Sequence, residues 1–158
     1  TLEGLYILQH YVQPIQLRIV LVKPVLENLI DLCAYIRTNL PFVKEVALIG
    51  CEPIGFALAN KELSQVDIKD WWDQLNAAVD LLLSTKTRLI LMNIPLCCLP
   101  QSLWQYAAKS ISDWKNTYDD VCNSCEIKAD CCGLFSWYKS GWMPSTLSPI
   151  KLVDIMNT

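Results

Sequence analysis

Three short runs, IQLRIVLV (15–22), VKEVALIG (43–50) and RLILMNI (88–94), are nearly continuous in apolar, largely β-branched residues. Runs of that length suit strands better than helices, and their continuity predicts a parallel sheet covered on both faces, although the middle one also alternates. Helical patterns lie between them. Pro24 followed by VLENLIDLCAYIRTNL puts proline in a first turn and repeats apolar residues at Val25, Leu29, Leu32, Cys33 and Ile36. Asp67 is placed to cap IKDWWDQLNAAVDLLL, whose Ile68, Trp71, Trp72, Leu75, Val79 and Leu82 share one face. The opening segment carries Leu2, Leu5, Leu8 and Val12 in the same way. Helix and strand therefore alternate three times, the signature of right-handed crossover units in an α/β protein.

A chain of 158 residues holds one domain with a real core. Hydrophobic residues at 53% and charged residues at 18% exclude disorder, and a net charge of −3 argues against nucleic acid as a partner. No apolar run reaches the length that crosses a bilayer, so no membrane is expected. Thr1 opens what reads as the middle of a helix, with no export signal before it, so the chain reads as a piece of something longer in a reducing, cytoplasmic setting. Three parallel strands are few for a free-standing sheet. The expectation is the C-terminal portion of a partial (β/α) barrel over residues 1–100, then an irregular Cys-rich extension over 101–158. Within that extension Ser102 and Gln105 in capping-box spacing, with Trp104, Ala108, Ile111, Trp114 and Tyr118 at helical intervals, predict a helix over 102–118. The tail after it, rich in Gly, Pro, Ser and Trp, should be irregular.

The stretch CNSCEIKADCC (122–132) holds four of the eight cysteines. A C-x2-C pair lets two thiolates bind one metal centre while N–H groups of the turn face the sulfurs. A disulfide is disfavoured by the reducing setting. Zinc and an iron–sulfur cluster both accept four thiolates, and the spacing leaves both open. No histidine lies nearby in sequence, since His10 sits on the opening helix. The nearest upstream thiols are Cys97 and Cys98, just past the third strand. Cys33 reads as a small buried hydrophobe on a helix face, and Cys51 as packing at a strand end.

The C-x2-C-x5-C run with Gly133 and Phe135 beyond it resembles the auxiliary-cluster segment of radical S-adenosylmethionine enzymes of the SPASM/twitch type. The wider text, NLPFVKEVALIGCEPIGFALAN, LCCLPQSLW and KSISDWKNTY before CNSCEIKADCCG, is similar to the C-terminal part of the radical maturase of the His-Xaa-Ser peptide-modifying system, from about residue 15 to the tail. That resemblance implies a partial barrel and an auxiliary [4Fe–4S] cluster held by Cys97, in the LCxLP context, with Cys122, Cys125 and Cys131. Cys98 and Cys132 are then surplus members of each pair. Phe135 stands where the longer pattern has a further cysteine, so no second auxiliary cluster is expected. The C-x3-C-x2-C motif that cleaves S-adenosylmethionine is absent from this sequence, so radical formation falls to a missing N-terminal part of the enzyme. The alternative is a non-catalytic interaction module stapled by zinc. A further expectation is a fold completed by a partner or an oligomer covering the open sheet edge.

In an α/β barrel the carboxyl ends of the strands face the active site. Lys23, Glu52 and Asn93 lie at or just beyond such ends, with Gly50 and Gly55 bracketing the turn at Glu52. Each of the three polar residues has the plainer role of capping an element end. By the resemblance, this face binds S-adenosylmethionine and the substrate peptide. Trp137 and Trp142, odd in an irregular tail, are expected to shield the cluster or to line a partner surface.

Overall fold

The computed structural model describes residues 2–138 and 142–155, the side chains of Asp154 and Ile155 excepted. In chain order it runs α1 (Leu2–His10), β1 (Gln16–Leu21), α2 (Lys23–Leu26), α3 (Leu29–Asn39), β2 (Glu45–Gly50), α4 (Phe56–Ala59), α5 (Lys61–Ser64), α6 (Trp72–Leu83), β3 (Arg88–Met92), β4 (Asn116–Thr117), β5 (Leu134–Phe135) and α7 (Leu152–Ile155). β1, β2 and β3 form a parallel sheet in that order, with Gln16 opposite Glu45 and Glu45 opposite Arg88. The α/β class and the three expected strands are therefore present.

Both crossovers step the same way across the sheet, so right-handed connections put α3 and α6 on one face, where they pack together. That face buries Leu21, Val46, Leu48, Leu89 and Leu91 against Leu29, Cys33, Ile36, Leu75, Val79 and Leu82. The opposite face is only partly covered. Val20 is 44% exposed there, Arg18 is exposed, and Ile49, Ile90 and Met92 are half-buried. On that face the expectation of a sheet buried on both sides holds at the centre of β2, where Ala47 is fully enclosed.

Three helical expectations change. The run after Pro24 divides at Glu27–Asn28, because Asn28 leaves helical geometry (φ −120°) to precede α3 while its amide donates back to the Pro24 carbonyl at 2.9 Å. Asp67 does cap, accepting from the Lys69 N–H at 3.1 Å, but one 3₁₀ turn (Ile68–Trp71) comes before α6. α1 ends at His10 and buries none of its residues; Leu2 and Leu8 are exposed and Val12 lies beyond its end.

The helix expected over 102–118 does not form. A 3₁₀ segment (Gln101–Tyr106) is followed by extended chain that bridges β3, with Ala107 beside Leu91 and the Ala108 N–H donating to the Leu91 carbonyl at 2.8 Å. The unpaired edge of β3 offers the backbone a partner that outcompetes the local helical pattern. β4 and β5 then pair antiparallel and frame a small second core of Ile111, Cys132 and Phe135 with Trp137 and Tyr138 against it.

Candidate metal centre

Cys97 lies on a one-turn 3₁₀ segment (Leu96–Cys98) five residues past β3. Two indoles hold that turn: Trp104 Nε1 donates to the Leu96 carbonyl and Trp72 Nε1 to the Cys98 carbonyl, each at 2.9 Å. Trp72 opens α6, so the turn is fixed to the sheet layer. Cys122 belongs to a second 3₁₀ turn (Asp120–Ser124) capped by Asp119, which accepts from the Val121 N–H at 3.1 Å. Cys125 ends that turn, and Cys131 ends a third (Lys128–Asp130). Gly133 then turns the chain into β5 at φ +70°, where a Cβ would sit 2.5 Å from Asn116 Nδ2 and 2.8 Å from the Thr117 carbonyl oxygen.

These turns bring Cys97, Cys122, Cys125 and Cys131 to the wall of one cavity, completed by Tyr118, Lys128 and the segment Leu147–Ile150. Among the described residues no three Cys, His, Asp or Glu side chains are close enough together to hold one metal ion. A single zinc with four thiolates would need sulfurs about 3.8 Å apart, given bonds of about 2.3 Å. The four thiols line the cavity. All are unbridged.

Backbone N–H groups point at these sulfurs from several segments. Leu96 and Gly133 donate to Cys131 Sγ at 3.5 and 3.4 Å, and Ile150 donates to Cys125 Sγ at 3.4 Å. Such donors stabilise thiolate over thiol. The Cys131 thiol is brought down to about 6, by the neighbouring Cys132 thiol first and then, against the effect of burial, by the Gly133 and Leu96 N–H groups and the charge of Lys109. Cys97 is lowered too, by the Cys98 thiol first and by the Ser148 N–H after it. Cys98 and Cys132 are pushed far up by the thiolates they adjoin and by burial, which makes them S–H donors and buried packing groups. Burial raises Cys122. The result is a soft-ligand pocket with two sulfurs ionised near neutrality.

Cys33 and Cys51 lie outside the cavity. Cys33 is fully buried between α3 and the sheet, and burial pushes it up to about 11. Trp137 and Trp142 do not line the thiol cavity, contrary to the expectation that they shield it. They face the loop at Pro53–Lys61, and Trp137 stacks on Phe135 with ring centres 6.3 Å apart. Trp137 packs against the second core, while Trp142 lines the pocket beside Cys51 and Cys98.

Lys23, Glu52 and Asn93 stand just past the carboxyl ends of β1, β2 and β3. Glu52 pairs with Lys115 at 3.3 Å, and Lys115 also lies over the Trp114 ring at 4.9 Å. Asn93, at φ +60°, is engaged by Ser110, whose hydroxyl accepts from its N–H at 2.7 Å and donates to its Oδ1 at 2.9 Å. Asn93 lines a separate small pocket with Cys51, Cys98, Tyr138 and Trp142. Gly50 permits the close approach of this loop, since a Cβ there would lie 2.5 Å from the Asn93 carbonyl oxygen.

The sequence reading missed Tyr118, whose hydroxyl donates to the Cys131 carbonyl at 2.9 Å, and the tail residues Leu147, Ser148 and Ile150. An aromatic four residues before the first cysteine was a weak signal for Tyr118; nothing marked the tail. Fold and site together define an α/β chain with a four-thiol cavity set just past its last parallel strand. No protein-family model, curated protein or solved structure matches the chain.

Proposed function

We propose that this chain is the C-terminal part of a radical S-adenosylmethionine enzyme that modifies a ribosomally made peptide, and that Cys97, Cys122, Cys125 and Cys131 hold its auxiliary [4Fe–4S] cluster. The observation that carries the reading is that these four thiols, chosen by spacing and resemblance, line one cavity although 34 positions separate Cys97 from Cys131. The donor set is of the kind such a group needs: four sulfurs, two of them ionised near neutrality, with N–H donors aimed at Cys131 and Cys125. When bound, the cluster supplies one-electron chemistry at a potential set by burial and by hydrogen bonds to sulfur.

The chain's own residues keep the site rigid on the Cys97 side through Trp72 and Trp104, and hold the loop side through Asp119 and Tyr118. The partly covered face of the sheet, with Val20, Ile49, Ile90 and Met92, supports a partial (β/α) barrel whose inner face is completed by the missing N-terminal part. S-adenosylmethionine and the substrate peptide are assigned to the carboxyl edge at Lys23, Glu52 and Asn93, in a cytoplasmic enzyme.

The test is metal and acid-labile sulfide content after purification without oxygen, with an absorption spectrum, for the wild type and Cys125→Ala. Near-stoichiometric iron and sulfide, lost in Cys125→Ala, is the expected result. Zinc without sulfide, even after iron and sulfide are supplied, replaces this reading with the zinc-stapled module. Full cluster content in Cys125→Ala sinks the ligand assignment.

A further inference from the structure

The segment from Leu147 to Leu152 crosses the thiol cavity and touches both of its halves. Its Ile150 N–H meets Cys125 at 3.4 Å, while its Ser148 shares the cavity wall with Cys97 on the other side. Leu147, Ser148 and Ile150 form one wall. The outer end is fastened to the cysteine loop by polar contacts. Glu126 N–H donates to the Ile150 carbonyl at 3.0 Å, Leu152 N–H donates to Glu126 Oε2 at 2.8 Å, and Lys151 Nζ donates to the Ser124 carbonyl at 2.6 Å. Lys151 and Glu126 also pair at 3.7 Å, with side chains 41% and 45% exposed.

Little apolar burial backs this clasp, since Leu152 and Val153 are more than half exposed. Segments held by exposed polar bonds open far more often than a core does, because water replaces such bonds at small cost. The inner end, by contrast, follows the buried Trp142, which shares a pocket wall with Val66 and Ile68, and Ser145 N–H donates to Asp67 Oδ2 at 2.7 Å. One end fixed and one end clasped is the arrangement of a hinge.

We propose that residues 147–152 form a hinged strap over the thiol cavity, closed by Glu126 and Lys151, whose opening admits a soft metal ion or an electrophile to Cys97 and Cys125. The inference rests on the reading above only for the metal; the gate itself concerns the thiols. Lys151 is a positioning residue, acting through the strap.

The test is peptide-resolved alkylation of the 158-residue chain by N-ethylmaleimide with no metal present, comparing wild type, Lys151→Met and Lys151→Arg. Cys33, buried in the main core, reports global unfolding in the same sample. Cys97 and Cys125 should react roughly three- to tenfold faster in Lys151→Met, the loss of one to two such bonds, while Cys33 is unchanged and Lys151→Arg stays near wild type. Unchanged rates at Cys97 and Cys125, or acceleration shared by Cys33, overturn the gate. In parallel, Zn²⁺ release to a chelator is timed. Failure of every variant to bind Zn²⁺ or iron strikes the metal reading and leaves the alkylation result to decide the strap.

Discussion

Replacing Gly133 by alanine attacks the thiol site through its backbone. Gly133 is held at φ +70°, where an L side chain costs about 1–2 kcal/mol, partly offset by the stiffer unfolded chain. The added Cβ would also meet Asn116 Nδ2 at 2.5 Å, the Thr117 carbonyl oxygen at 2.8 Å and the Tyr118 ring at 3.0 Å. The Thr117 carbonyl belongs to β4 and cannot move without disturbing its pairing with β5, and moving the Asn116 amide breaks its bond to the Cys132 carbonyl, so overpacking adds about 1–3 kcal/mol. The expected loss is about 2–4 kcal/mol, a large share of a small domain's stability. Urea unfolding measures it. Because the Gly133 N–H also donates to Cys131 Sγ at 3.4 Å, the alkylation profile of Cys131 should move to higher pH in the same variant. Asn116→Ser removes the nearest atom, so the double variant should recover about 1 kcal/mol in a mutant cycle. A loss below about 0.5 kcal/mol in Gly133→Ala, the size of an ordinary surface change, would refute the steric reasoning.

Other expectations concern charge and anchoring. Cys132→Ala should raise the pH midpoint of Cys131 alkylation from about 6, because the Cys132 thiol is the largest influence holding it down; an unmoved midpoint removes that role. Cys33 is a thiol in the fold to about 11, while an unfolded chain ionises it from about 9.0. Its contribution is therefore complete below pH 9 and lost as pH rises through 11, up to about 2.7 kcal/mol, and Cys33→Ala should flatten that part of the stability curve. Trp104→Phe keeps a six-membered aromatic ring but loses the rest of the indole and the N–H to the Leu96 carbonyl, and should cost at least about 1 kcal/mol in thermal or urea unfolding. Lys115→Met breaks the Glu52 pair and the contact with Trp114, for about 1–2 kcal/mol by the same assay.

The strands were legible because β-branched runs at 15–22, 43–50 and 88–94 declare themselves locally. Asp67 was legible for the same reason, since a cap and its helix are neighbours. The segment after Ser102 was not. Gln105 donates to the Ser102 carbonyl at 3.2 Å and Ser102 Oγ turns to Asn76, so the expected capping box does not form, and Ala108 finds the Leu91 carbonyl, a partner no window on the sequence contains. At the thiols, chain spacing and resemblance named four cysteines that share one cavity. Which member of each adjacent pair turns inward depends on packing: Cys98 joins the main core and Cys132 the small one, leaving Cys97 and Cys131 to the cavity. The strap was invisible because Leu147, Ser148 and Ile150 carry no pattern of their own.

The two margins of the parallel sheet are unequal. Beyond β3, Ala107, Ala108 and Ser110 occupy the backbone groups of Leu91 and Asn93, so no strand can be added there. Beyond β1, no described strand pairs. Among the described residues, copies that met by pairing through the parallel sheet would have only β1 to offer, so they could join edge to edge about a two-fold axis and then stop. Head-to-tail growth into a fibre needs a second free margin, and the short bridge beside Leu91 removes it.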